Sequence, residues 1–97
     1  MIRHIVLFTW TEEATDAQKV AVTEALSELP GLIPQIRAYT VGSDAGINQG
    51  NSEYAVVADF DSVEDYIVYR DHPDHQAIIA ARIKPIVATR AAVQLSL

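Results

Sequence analysis

IRHIVLFTW, residues 2–10, is rich in β-branched and aromatic side chains and reads as a β-strand. Side chains alternate across a strand, so Val6, Phe8 and Trp10 share one face with His4, while Ile5 and Leu7 take the other. Both faces are apolar, so both have to be covered. How many layers the rest of the chain can supply therefore decides the architecture.

Downstream of this strand, Thr15 followed by Gln18 forms a capping-box pattern. Val22, Ala25, Leu26 and Leu29 then recur at helical spacing, and Pro30 and Gly31 are expected to stop the helix. Residues 36–42 alternate as a second strand. The segment SDAGINQGNS, residues 43–52, reads as a loop because of its Gly, Asn and Asp content. Residues 53–60 form a third strand, apolar on both sides. Ser62 with Asp65 opens a second helix, and Pro73, favoured at a first helical position, opens a third that runs to about Pro85. Residues 87–95 close the chain as a strand, with Val87, Thr89, Ala91, Val93 and Leu95 on one face and Ala88, Arg90, Ala92 and Gln94 on the other.

The order β-α-β, loop, β-α-α-β predicts an α+β fold: a ferredoxin-like, four-stranded antiparallel sheet with helices on one face, in a single domain spanning residues 1–97. The uncovered face is expected to present Val, Phe, Tyr and Ala side chains, too large an apolar area for a monomer to leave in water. A homodimer that closes two sheets into an α/β barrel resolves the conflict.

The 97 residues carry 49% hydrophobic side chains and a formal charge of −6, with seven Lys and Arg dispersed along the chain. Such a field repels phosphate backbones, so nucleic acid is not an expected partner. No apolar run approaches the roughly 20 residues of a membrane span, and the amino-terminal segment has no cleavable-leader pattern, which points to a cytoplasmic protein. The chain has no Cys, so thiol chemistry and Cys-ligated metals are excluded.

Chemistry concentrates in YRDHPDH, residues 69–75. The positive end of a helix dipole at His75 disfavours imidazolium, whereas Asp71 and Asp74 favour it. As a neutral imidazole, His75 is a candidate general base. Tyr69 is a candidate hydrogen-bond donor to a carbonyl or enolate oxygen, and His4 a candidate orienting group, together a cofactor-free proton-transfer set. The structural alternative has Tyr69 packed on the sheet, His72 capping a helix and His75 bonded to backbone or a carboxylate. Phe8, Trp10 and Tyr54 are candidates to line a hydrophobic cavity for a small apolar or aromatic ligand, or else are core residues. His72 and His75 lack a third partner for a metal, so no metal site is expected.

RHIVLFTW (3–10), PGLIP (30–34), GSDAG (42–46), FDSVEDY (60–66) and above all HPDH (72–75), with Pro85-Ile86 behind it, together resemble the stress-responsive α/β-barrel (Dabb) family over nearly the whole chain. The resemblance implies a dimeric α+β barrel. Most members have no established activity. A plant branch includes a polyketide cyclase that closes a linear tetraketide by aldol chemistry without a cofactor, using a Tyr and a His of a Y-x-x-H-P-x-H segment beside a first-strand His. By resemblance, the matching residues here are Tyr69, His72, His75 and His4. The ending VQLSL, residues 93–97, departs from the acidic-aromatic close frequent in the family.

Overall fold

The computed structural model describes residues 1–97. In chain order the elements are β1 (Ile2–Trp10), α1 (Asp16–Ser27), α2 (Leu29–Leu32), β2 (Ala38–Ser43), β3 (Tyr54–Phe60), α3 (Val63–Asp71), α4 (Pro73–Ile78) continued by a π-helical turn (Ile79–Ile83), and β4 (Val87–Ser96). The strands form one sheet in the order β2-β3-β1-β4. Every neighbouring pair is antiparallel, which gives the ferredoxin-like arrangement. No helix is long and apolar enough to cross a membrane.

Local chemistry sets the helix boundaries. The Gln18 N–H donates to Thr15 Oγ1 at 3.1 Å while the Thr15 N–H donates to Gln18 Oε1 at 2.9 Å, a reciprocal box that satisfies two otherwise orphaned donors. At α3 the Asp65 N–H donates to Ser62 Oγ at 3.2 Å, without the return bond that a longer Glu or Gln side chain would make. Pro30 does not terminate α1, which ends earlier, at Ser27. It sits in the first turn of the extra short helix α2, where its missing N–H is not needed. Leu29 and Ile33, on either side of that turn, are fully buried.

Register places His4 between Ala58 and Gln94, Val6 between Val56 and Ala92, and Phe8 between Tyr54 and Arg90. These positions and the buried Trp10 and Phe60 lie under the helices, in one core with Val22, Leu26, Leu29 and Tyr69. The opposite face carries Ile5, Leu7, Val57, Ala91, Val93 and Leu95. The expectation of Phe and Tyr on that face is corrected here: Phe8, Tyr39, Tyr54 and Phe60 share the strand parity of the helix-covered side and belong to its core or pack against it. A register shift between Thr9 and Trp10 also moves Val87 opposite Trp10 and onto the core, away from the face it would share with Thr89 and Ala91 under strict alternation.

Candidate functional site

A cavity of about 190 Å³ lies between the sheet and the helical layer. β1 supplies His4, Val6 and Phe8 to its wall, α3 supplies Tyr66 and Tyr69, α4 supplies His75, and the π turn supplies Ile79 and Ile83. Three candidate residues, His4, Tyr69 and His75, thus converge on one space together with Phe8. The other three do not line it. Trp10 stacks on Phe8 at 5.4 Å between ring centroids and packs against Tyr54 at the same distance, so these two rings are core. Tyr54 is tied to α1 through its hydroxyl, 2.7 Å from Thr23 Oγ1. His72 is the N-cap of α4, its Nδ1 accepting the Asp74 N–H at 3.1 Å. The cavity also lies within the protomer, under the helices, and not on the open sheet face that a barrel would enclose.

The histidines carry complementary proton arrangements. Gln94 Nε2 stands 2.9 Å from His4 Nδ1, and an amide nitrogen only donates, so Nδ1 accepts and the proton of neutral His4 sits on Nε2. At His75, Nδ1 lies 3.1 Å from the Arg70 carbonyl oxygen, which only accepts. Here Nδ1 carries the proton and Nε2 keeps its lone pair. Burial, reinforced by the charges of Arg90 and His75, holds His4 down to about 4. Burial also lowers His75, against the opposing pull of the Arg70 and Tyr69 carbonyls and with help from His72 and Arg90. Desolvation is the leading cause at both rings and favours their neutral forms.

Tyr69 is 1% exposed and stacks on His75, with ring centroids 4.1 Å apart. Its hydroxyl lies 2.9 Å from that of Tyr39. Burial pushes the Tyr69 phenol up to about 12, with the Tyr39 hydrogen bond pulling it down; Tyr39 is pushed up strongly, by burial and then by Tyr69. Either hydroxyl can donate in this bond, which ties the two phenols together at the sheet–helix boundary. The six-membered aromatic and imidazole surfaces continue into Tyr66, whose ring lies 4.9 Å from His4.

Sequence reading missed Tyr39, Tyr66, Gln94 and Arg90. Tyr66 was accessible, standing three residues before Tyr69 on one helical face. Gln94 and Arg90 share a strand face in the sequence pattern, but only the pairing register brings them opposite His4 and Phe8. No group of three or more His, Cys, Asp or Glu is arranged to hold a metal ion.

The chain is similar in structure to a dimeric ferredoxin-like protein of unknown function from Thermobifida fusca YX, with a TM-score of 0.92 and 47% identity over 99% of this chain and 90% of that one. A dimeric protein of unknown function and ferredoxin-like fold from Bacteroides fragilis matches with a TM-score of 0.78 and 31% identity over 99% and 95% of the two chains. The hydroxynitrile lyase of Passiflora edulis matches at a TM-score of 0.83 over 97% and 90%, with 18% identity, a likeness of fold. No curated protein matches the sequence. The family described as Stress responsive A/B Barrel Domain matches residues 2–97, and the chain belongs to that family.

Proposed function

We propose that this chain is a homodimer, two open sheet faces packed together, in which each protomer binds a small apolar or aromatic carbonyl compound between its sheet and helices and moves a proton on it without a cofactor. The observation that carries the chemistry is the convergence of His4, Tyr69 and His75 on one cavity, with the His75 Nδ1 bonded to a backbone carbonyl and the His4 Nδ1 to Gln94. His75 Nε2 takes a proton from the carbon beside the carbonyl, and the C–H electron pair moves to leave charge on the carbonyl oxygen. The Tyr69 hydroxyl and His4 Nε2–H stabilise that oxygen. Return of the proton to the carbon restores neutral His75; alternatively the enolate carbon attacks a second carbonyl, whose oxygen becomes an alkoxide and takes the proton from His75. The volume limits the ligand: about 150 Å³ accommodates benzene, so this space suits a one-ring compound. The dimer is supported by the apolar open face and by the two relatives described as dimeric.

The test is deuterium exchange into the methyl group of acetophenone in D₂O, followed by NMR. His75→Ala should slow exchange at least about a hundredfold while leaving acetophenone binding and the dimer intact. Unchanged exchange with retained binding removes the base assignment and leaves a non-catalytic ligand-binding protein. The stacking of Tyr69 on His75 and its bond to Tyr39 favour that second reading to the extent that they serve as fixed walls. Absence of any binding leaves a structural dimer.

A further inference from the structure

Of the seven Lys and Arg, four are matched to carboxylates: Arg3 to Asp59, Lys19 to Glu53, Arg37 to Asp61 and Arg70 to Asp71. Arg82, Lys84 and Arg90 have no carboxylate within ion-pair distance and no side-chain hydrogen bond. Among these three, Arg90 alone lines the cavity. The other cation on the wall, Arg70, is already engaged by both Asp71 oxygens, at 2.9 and 3.0 Å. No Asp or Glu lines the cavity, although they number 13 in the chain. A protein of formal charge −6 therefore presents, at this one cavity, an uncompensated guanidinium beside neutral imidazole and phenol groups.

Placement reinforces the point. Arg90 stands opposite Phe8 in the β1–β4 register, on the helix-covered side of β4, an exposed residue at the border of the space that Phe8 helps to close. A guanidinium presents a planar fork of donors that matches a carboxylate with two parallel hydrogen bonds. An apolar, ring-sized cavity bordered by such a fork is shaped for a molecule with an aromatic or aliphatic body and an anionic end.

We propose that Arg90 is an anion subsite and that the cavity takes small organic carboxylates of the aromatic-acid or β-keto-acid class in preference to their neutral analogues. This rests on the reading of the cavity as a ligand pocket and adds the charge of its ligand. A carboxylate fixed at Arg90 also leaves the rest of the molecule directed at His4 and His75.

The decisive experiment compares benzoate with benzamide, equal in shape and different in charge, by calorimetric titration of the full-length protein at pH 7.5, with NMR shifts of the His4 and His75 rings reporting the site. Benzoate should bind on the order of tenfold tighter than benzamide. Arg90→Gln should remove that advantage by weakening benzoate more than benzamide, Arg90→Lys should restore part of it, and Arg82→Gln should change neither affinity. Equal affinities in the wild-type protein overturn the subsite while the pocket stands, as they would if a carboxylate of a second copy already neutralised Arg90. Persistence of the benzoate advantage in Arg90→Gln likewise overturns the assignment. If neither compound moves the histidine signals, the ligand-pocket reading fails and the subsite falls with it.

Discussion

The two faces of this sheet come from the same four strands and have opposite chemistry. The helix-covered face holds all the strand aromatics, a histidine that is 4% exposed, and two separate hydrogen bonds, Gln94 to His4 and Tyr39 with Tyr69. The open face holds aliphatic side chains with little polarity, among them Leu7, Val93 and Leu95 at 38, 48 and 40% exposure. One residue of strand separates the two environments. The first face is complete within a protomer and can afford polar groups because each is satisfied; no buried side-chain nitrogen or oxygen lacks a partner. The second carries one ion pair, Arg3–Asp59, and otherwise mainly apolar area to bury. The proposed ligand pocket and the proposed assembly face are thus separated by the pleat, so substitutions can address one at a time.

The largest expected effect is on the open face. Leu7→Glu should weaken the proposed dimer by on the order of a thousandfold or more, because it places a charge against apolar surface in both copies. Sedimentation at micromolar concentration should show monomers whose circular dichroism matches the parent; a variant that remains dimeric would place the interface elsewhere.

Acid should act on the covered face. His4 has a lower pKa folded than unfolded, so its contribution to stability is complete above about pH 6.5 and is lost as pH falls toward 4, the unfolded chain binding the proton more readily. His75, also lowered, acts in the same direction. Urea unfolding should show a loss of about 2–3 kcal/mol between pH 7.5 and 4. The slope should flatten in His4→Gln, and an unchanged slope would remove His4 as its source.

Tyr39→Phe deletes the hydroxyl that bonds Tyr69 and should lower stability by about 1 kcal/mol in the same assay. Thr15→Ala, distant from both cavity and open face, should cost a similar or smaller amount, at most about 1 kcal/mol in this exposed cap, and should alter neither assembly nor ligand affinity.

The fold was legible because its signals are local. Two-faced apolarity in residues 2–10, the Thr15 and Ser62 caps and the Pro73 helix start each depend on neighbours within a few positions. Helix α2 was obscured by a Pro-Gly pair that also reads as a stop, and the position of Val87 by a bulge that breaks the two-residue period. The site was only partly legible. His4, Tyr69 and His75 stand out by residue type, whereas Trp10 and Tyr54 look equally suited to a ligand wall until packing places them against Phe8. Arg90 and Gln94 acquire meaning from partners about 80 to 90 positions away, through a register that periodicity alone does not supply.

The turn at Ile79–Ile83 closes with the Lys84 N–H bonded to the Ile79 carbonyl at 2.9 Å, one residue farther apart than in an α-helix. Ile79 and Ile83, at its two ends, both face the cavity. The roof of the site is thus spaced by chain length as well as by side-chain bulk. Deleting a single residue between them would let the turn rewind to the tighter α-helical pitch, with i→i+4 bonds in place of the wider i→i+5 closure. Single-residue insertions and deletions, ordinarily confined to loops, are here a means of altering the wall of the cavity from inside a helix.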